Sequence, residues 1–114
     1  WKKDNPGLAR GAQWISKQGP AKKPANMYYN YYATQVMRHW EGDEWDKWNK
    51  SMRDWLVNTQ VKEGPERGSW YSKSRWASRG GRLYYTAMAT MILEVYYRHL
   101  PIYRQQSTEE AFPE

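Results

Sequence analysis

The chain contains no cysteine, so disulfide bonds and thiolate metal sites are excluded. It also lacks any run that approaches the roughly 20 apolar residues of a membrane-spanning helix. No signal-peptide pattern occurs at its start, and neither Gly-x4-Gly-Lys nor Gly-x-Gly-x2-Gly is present to bind phosphate groups. These absences leave the cellular location open. Because the first residue is Trp1 and not methionine, we expect a processed chain or a piece of a longer protein.

Aromatic side chains supply much of the apolar content. The 114 residues include eight Trp, ten Tyr and five Met, but only one Phe. A chain of this length is expected to form one domain. Each large aromatic side chain buries roughly 150–250 Å², so a small number of them can form its core.

Four segments have helical patterning, and they cover residues 8–18, 26–40, 44–60 and 81–99. Asn26 and Asp43 are predicted N-caps of the second and third segments, and Gly42 separates these two helices. Pro101 is predicted to end the last helix. Residues 61–80 are predicted to form a long loop. The third segment carries a stripe that is typical of a packing face, formed by Trp45, Trp48, Met52, Trp55 and Thr59.

The chain repeats a helix–loop–helix unit. The stretch from Arg10 to Gln18 is similar to the stretch from Lys50 to Gln60, with one residue fewer before the glutamine. An aromatic residue, Tyr28 or Trp70, follows each glutamine after ten positions. The predicted organisation is a polar lead-in (1–7), a repeat domain (8–104) with repeat one at 8–41 and repeat two at 43–100, and a flexible tail (105–114).

The second copy carries a recognisable motif. Trp55-Leu56 with Gln60, followed by Gly68-Ser69-Trp70, resembles the QW motif of the squalene cyclase and prenyltransferase repeat family. The segment from Gly80 to Thr90 is also similar to C-terminal toroid domains of uncharacterised large bacterial proteins. The first copy lacks Gly-x-Trp, and Ser51 stands where the family usually has glycine.

The resemblance implies an all-α fold with two helical hairpins of the α/α-toroid type. About four helices would form a partial toroid or a small helical bundle, because two hairpins do not close a ring. The resemblance also implies a motif in which a glutamine at a helix end contacts the following loop and an aromatic ring stacks on its amide. The structural residues implied are Trp14, Gln18, Trp55, Gln60, Gly68 and Trp70.

The catalytic groups of these relatives are missing. Squalene cyclases use an Asp-x-Asp-Asp acid, and no such run occurs here. Protein prenyltransferases bind zinc through a site that includes cysteine, so that site cannot be copied. Asp43, Glu44 and Asp46 open a helix, where negative charge is favourable. His39 and His99 end equivalent helices, which favours a structural role for both. We therefore expect no cofactor and no metal, and the missing groups favour a noncatalytic role over an enzymatic one.

The leading functional hypothesis is a noncatalytic helical repeat module for protein–protein association or for completion of a larger toroid. Repeats generally bury a continuous face only through their neighbours. The expected partner is another protein, the remainder of a longer parent chain, or a second copy of the chain.

Two alternatives use other residues. The first is a site that binds isoprenoids or other lipids, left from a terpenoid-cyclase-like enzyme. Its lining candidates are Tyr28, Tyr31, Tyr32, Tyr84 and Tyr85. The second alternative is nucleic-acid or anion binding by the basic aromatic loop 67–82, since the formal net charge is +6. Its contact candidates are Arg67, Lys73, Arg75, Arg79 and Arg82.

Overall fold

The protein is a small bundle of four helices, as predicted. The computed structural model describes the backbone of residues 4–111, and the side chains of residues 4–95 and of Tyr97. The helices are α1 (Pro6–Gln18), α2 (Met27–Trp40), α3 (Gly42–Thr59) and α4 (Ala77–Ala111). Within residues 4–111 the only β-type pairing is one isolated bridge between Lys22 and Ala25. The all-α prediction is therefore confirmed.

The helix starts follow from local capping. The Asn26 side chain accepts a hydrogen bond from the Tyr29 N–H at 3.0 Å, so the predicted N-cap of α2 is confirmed. Asn5 accepts in the same way from Gly7, and Pro6 occupies the first helical position. Helix α1 therefore begins inside the segment that was predicted as a lead-in.

The bounds of α3 and α4 differ from the predictions. Helix α3 begins at Gly42, so Asp43 lies in its first turn and is not the N-cap. Helix α4 is kinked at Gly81, whose φ of 68° and ψ of −168° are not helical, so a short helical segment from Ala77 precedes the main helix, which starts where it is predicted. The Ser74 hydroxyl accepts a hydrogen bond from the Ala77 N–H at 3.2 Å and caps the short segment. Helix α4 also continues past Pro101, since an internal proline removes one backbone hydrogen bond without having to end the helix.

Helix α2 is at the centre of the bundle and packs against α1, α3 and α4. The predicted packing face of α3 is confirmed for Trp45, Trp48 and Met52, which are buried, and for Trp55, which is half-buried. Thr59, the last residue of the predicted stripe, is exposed, so the prediction is wrong there. The side chains with the least exposure come from three helices, and they include Met37, Met52, Leu56 and Val95.

A chain of buried hydrogen bonds joins α3, α2 and the first loop. The Trp48 indole N–H donates to the Thr34 hydroxyl at 3.0 Å, and that hydroxyl donates to the Asn30 carbonyl at 2.6 Å. The Asn30 side chain then bonds both backbone groups of Ala21, at 2.8 Å and 3.0 Å. Buried polar groups need such partners, so this chain fixes the loop and α3 relative to α2.

The turn between α2 and α3 contains a strained residue. Glu41 has φ 67° and ψ −168°, nearly the values of Gly19 (70° and −177°) and Gly81 (68° and −168°). This region is favourable almost only for glycine and costs other residues roughly 1–3 kcal/mol. We expect Glu41→Gly to raise the free energy of unfolding by about 1 kcal/mol in urea denaturation. Glu41→Ala is the control, because it removes the same carboxylate but keeps the strain. Equal stabilities of the two variants would contradict the prediction.

Candidate functional site

The predicted motif residues meet where α3 ends. The Gln60 side-chain amide donates to the Gly68 carbonyl at 3.0 Å. The Gly68 N–H donates to the Val61 carbonyl at 2.8 Å, and the Val61 N–H donates to the Ser69 carbonyl at 2.9 Å. Gly68 has φ 86°, a left-handed conformation that favours glycine. We call this arrangement, formed by Gln60, Val61, Gly68 and Trp70, the Gln60–Trp70 junction.

Trp70 connects this junction to two helices. Its side chain is buried, and its indole N–H donates to the Leu56 carbonyl in the last turn of α3 at 2.7 Å. Its backbone N–H and carbonyl both bond the Thr86 hydroxyl of α4, at 3.1 Å and 3.2 Å. Trp70 therefore joins the end of α3 to α4, because its indole bonds α3 and its backbone bonds α4. Stacking of its ring on the Gln60 amide remains a prediction.

Arg82, a candidate for the anion surface, makes internal contacts. Its guanidinium forms a salt bridge with Glu66 at 2.9 Å and donates to the Ser69 hydroxyl at 3.0 Å. It also lies 5.0 Å from the centre of the Tyr71 ring. Arg82 thus holds the long loop against α4, a role that the sequence alone does not indicate.

The other basic candidates of the 67–82 loop remain at the surface. Arg79 lies 5.6 Å from the centre of the exposed Trp76 ring. Arg67, Lys73 and Arg75 are exposed as well. The 67–82 segment therefore presents four exposed cations, one of which lies beside an exposed aromatic ring.

The first repeat is anchored differently from the second. Trp14, Gln18 and Tyr28 are all exposed, the tryptophan by 57%. Tyr29 contacts the first loop instead, since its hydroxyl donates to the Gly19 carbonyl at 3.2 Å. On α1, Ile15 packs against the core in place of its neighbour Trp14. In the first repeat, Ile15 and Tyr29 therefore make the contacts that were predicted for Trp14 and Tyr28. Neighbouring side chains on a helix point about 100° apart, so only one of each pair can face the core.

An apolar groove lies between α1 and α2. We call it the aromatic groove, and it is lined by Trp14, Ile15, Tyr28, Tyr29, Tyr32 and Val36, with Gly11 and Ala33. The Tyr28 and Tyr32 ring centres are 4.8 Å apart. The charge of Tyr28, followed by burial, raises the pKa of the Tyr32 hydroxyl above its ordinary value. Burial likewise raises the pKa of Tyr29. Both hydroxyls therefore stay protonated at neutral pH.

The five tyrosines proposed as a lipid-lining set lie in different surroundings. Tyr28 and Tyr32 line the aromatic groove, whereas Tyr84 lines a neighbouring cavity with Trp76. Tyr31 packs against the core from its edge, and its ring meets Tyr32 edge-on at 5.2 Å.

Tyr85 is separated from this groove and is buried in the core. Burial raises the pKa of its hydroxyl, while a hydrogen bond with Ser72 opposes that shift. Tyr85 also lines a cavity with Trp55 and Trp70 on the α3 side of the bundle. The structure therefore brings Tyr28, Tyr31 and Tyr32 into ring contact, and Tyr28 shares a cavity with Tyr84, but the five candidates do not line one cavity.

A second groove, which the sequence did not predict, runs along α3. Three adjoining cavities form it: the first and second share Lys47 and Ser51, and the second and third share Lys22 and Trp55. We call this feature the lysine groove, and its cations are Lys17, Lys22, Lys23, Lys47 and Lys50. The signal available in the sequence was the spacing of Lys47 and Lys50 on one helix. The lysines of the first loop reach that face only in the folded chain.

The part of the chain that the structure describes contains neither a cluster of metal ligands nor a membrane-spanning helix. Within the described residues, no three acidic or histidine side chains cluster to hold a metal ion. None of the helices, over their described part, is long and apolar enough to cross a bilayer. His39 is exposed and its Nδ1 lies 2.8 Å from the Gln35 carbonyl, whereas the side chain of His99 lies outside the described residues.

No protein-family model, curated protein or solved structure matches the chain.

Proposed function

We propose that the chain is a noncatalytic helical repeat module whose aromatic groove mediates self-association. The observation that carries this proposal is the exposure of large aromatic side chains along a groove whose lining contains no charged residue. Trp14, Tyr28 and Tyr32 are exposed by 57%, 59% and 52%. Exposed aromatic patches of this kind commonly mark protein-interaction surfaces.

The partner that we propose for the groove is a second copy of the chain. Helix α4 presents an exposed ridge formed by Leu83, Ala87 and Met91, which are four residues apart. A ridge with this spacing packs into the side-chain grooves on the surface of a facing helix, which would be α1 or α2 of the second copy. Tyr84, beside Leu83, lines a cavity that also includes Tyr28 of the groove wall. Because groove and ridge are neighbours, two copies can exchange these contacts around a twofold axis.

The packing of the helices supports the proposed relation to toroid repeats. Helix α1 packs on α2, α3 packs on α4, and the second hairpin packs on the first through contacts of α2 with both α3 and α4. Successive helical hairpins of a repeat array have this arrangement, and each hairpin buries its face through a neighbour. The outer face of the first hairpin is the aromatic groove, which has no neighbour within the described chain. A second copy would supply the missing surface.

We expect the purified chain to dimerise, and Trp14→Glu to weaken the dimer at least about 30-fold, as a substitution at an interface hot spot does. Sedimentation velocity over a concentration series measures this change. Val57→Glu is the matched control, because Val57 is 50% exposed on α3 and away from the groove. A monomer at all concentrations, or equal weakening by both variants, would refute self-association. Binding of only a different protein, or of the remainder of a longer chain, would refute it as well.

The isoprenoid alternative remains a prediction. Its five tyrosines would have to line one cavity to surround a carbocation, and the described side chains divide them between the aromatic groove, a neighbouring cavity and the core. The self-association proposal uses Tyr28 and Tyr32 without that requirement.

A further inference from the structure

The lysine groove concentrates positive charge along one face of α3. Its lining contains five lysines and two carboxylates, those of Glu44 and Asp54, which leaves an excess of three positive charges. Asp54 also lies 3.6 Å from the Arg53 guanidinium, which offsets part of its charge. A surface with this balance attracts polyanions.

The groove has the length and the polar groups to follow a phosphate backbone. Its lining extends along α3 from Glu44 to Thr59, which is roughly 22 Å at 1.5 Å per residue. The Lys22 ammonium donates to the Ser51 hydroxyl at 2.9 Å and is thereby oriented over the middle of the groove. Hydroxyl and amide groups are available beside the lysines for hydrogen bonds to phosphate or sugar, namely those of Ser51, Asn58 and Ser72.

Two aromatic rings lie within the same groove. Trp55 is half-buried and lines its second and third cavities, next to Lys22. Tyr71 is 42% exposed and lines the third cavity together with Lys23. Arg82 lies over the Tyr71 ring, which fixes the orientation of the ring. Unpaired bases stack on such rings, and each stacked base contributes roughly 1–3 kcal/mol.

We propose that the lysine groove binds single-stranded nucleic acid. Lysines that follow the groove would neutralise successive phosphates, and Trp55 and Tyr71 would stack on unpaired bases. An acidic peptide would use the lysines but not the rings. A membrane surface requires aromatic side chains that project outward, whereas these two lie inside a groove. The cations of this site differ from those of the predicted 67–82 surface, although Tyr71 and Ser72 belong to both, and the site shares no lining residue with the aromatic groove.

The test is fluorescence anisotropy with a labelled oligothymidylate of about 16 nucleotides, titrated at several salt concentrations. Lys23, Lys47 and Lys50 are exposed, so their joint replacement by glutamine leaves the core unchanged. We expect this triple variant to bind at least about tenfold more weakly. Each phosphate contact on a single strand contributes about 0.7 to the slope of log affinity against log salt. The loss of three lysine contacts should therefore reduce the magnitude of that slope by about 2.

The matched control replaces Arg67, Arg75 and Arg79 with glutamine, which removes the same charge from the 67–82 loop. We expect it to weaken binding by less than about threefold. Equal or larger weakening by this control would overturn the proposal, as would no binding by the unmodified chain.

The type of polyanion is tested with the same chain. We expect the oligothymidylate to bind at least about tenfold more tightly than a duplex of equal length, because bases in a duplex cannot stack on the rings. Polyglutamate of equal charge should also bind more weakly. Equal affinity for the duplex or for polyglutamate would overturn the assignment to single strands. Binding only to vesicles with anionic headgroups would overturn it too.

Discussion

Trp70→Ala is expected to lower the free energy of unfolding by about 4 kcal/mol, as truncation of a buried tryptophan does. Trp70 is only 6% exposed and packs in the core, whose buried helical residues come from α2, α3 and α4. Its loss also leaves the Leu56 carbonyl, which accepts the indole hydrogen bond at 2.7 Å, without this donor. Chemical denaturation at a fixed protein concentration measures the change, since self-association would otherwise alter the apparent stability.

Two further variants separate the contributions of Trp70. Trp70→Phe keeps most of the buried ring and removes the indole N–H, so we expect a loss of about 1–3 kcal/mol. Trp76→Ala is the control, because Trp76 is 54% exposed. Its expected effect is within about 1 kcal/mol, the sum of an exposed truncation and the loss of the Arg79 contact. A Trp70→Ala variant as stable as Trp76→Ala would show that the Gln60–Trp70 junction does not hold the fold together.

Asn30→Ala has the second largest expected effect, a loss of about 3 kcal/mol. Asn30 is fully buried, and its amide bonds the N–H and the carbonyl of Ala21. Alanine would leave both backbone groups without these partners, and each unsatisfied buried group costs roughly 1–3 kcal/mol. Part of that cost is relieved if water reaches the loop.

Asn58→Ala is the matched control for this prediction, because Asn58 is exposed on α3. Its expected effect in the same denaturation experiment is within about 0.5 kcal/mol. If Asn30→Ala lost less than about 1 kcal/mol, the two hydrogen bonds to Ala21 would not be what fixes the first loop to α2.

Much of the helical fold is predictable from local patterns. The stripe that includes Trp45, Trp48 and Met52 identifies the buried face of α3, and Asn26 identifies the start of α2. These features depend on spacing within one helix or on a cap within one turn. The short helical segment from Ala77 to the kink at Gly81 is not predictable in this way, because the Ser74 hydroxyl that caps Ala77 lies in a segment without helical periodicity.

The candidate sites are less predictable because they depend on contacts between segments. Trp14 and Ile15 are adjacent apolar residues, and only packing against α2 decides which one is buried. Arg82 belongs to a cluster of cations in the sequence, but the folded loop brings Glu66 and Tyr71 to it. The lysine groove forms where the end of α1, the first loop, α3 and residues 70–72 meet, and these segments are far apart along the chain.

The backbone hydrogen bonds at the Gln60–Trp70 junction have a practical consequence for protein engineering. Val61 bonds Gly68 and Ser69, so the two ends of the intervening segment are held together independently of its tip. Residues 62–67 are exposed around Gly64. Exposed tips whose ends are fixed tolerate inserted sequence well. The exposed segment beside Gly64 is therefore suitable for an inserted fluorophore tag or epitope, provided that Gly64 is kept, since its φ of 81° favours glycine.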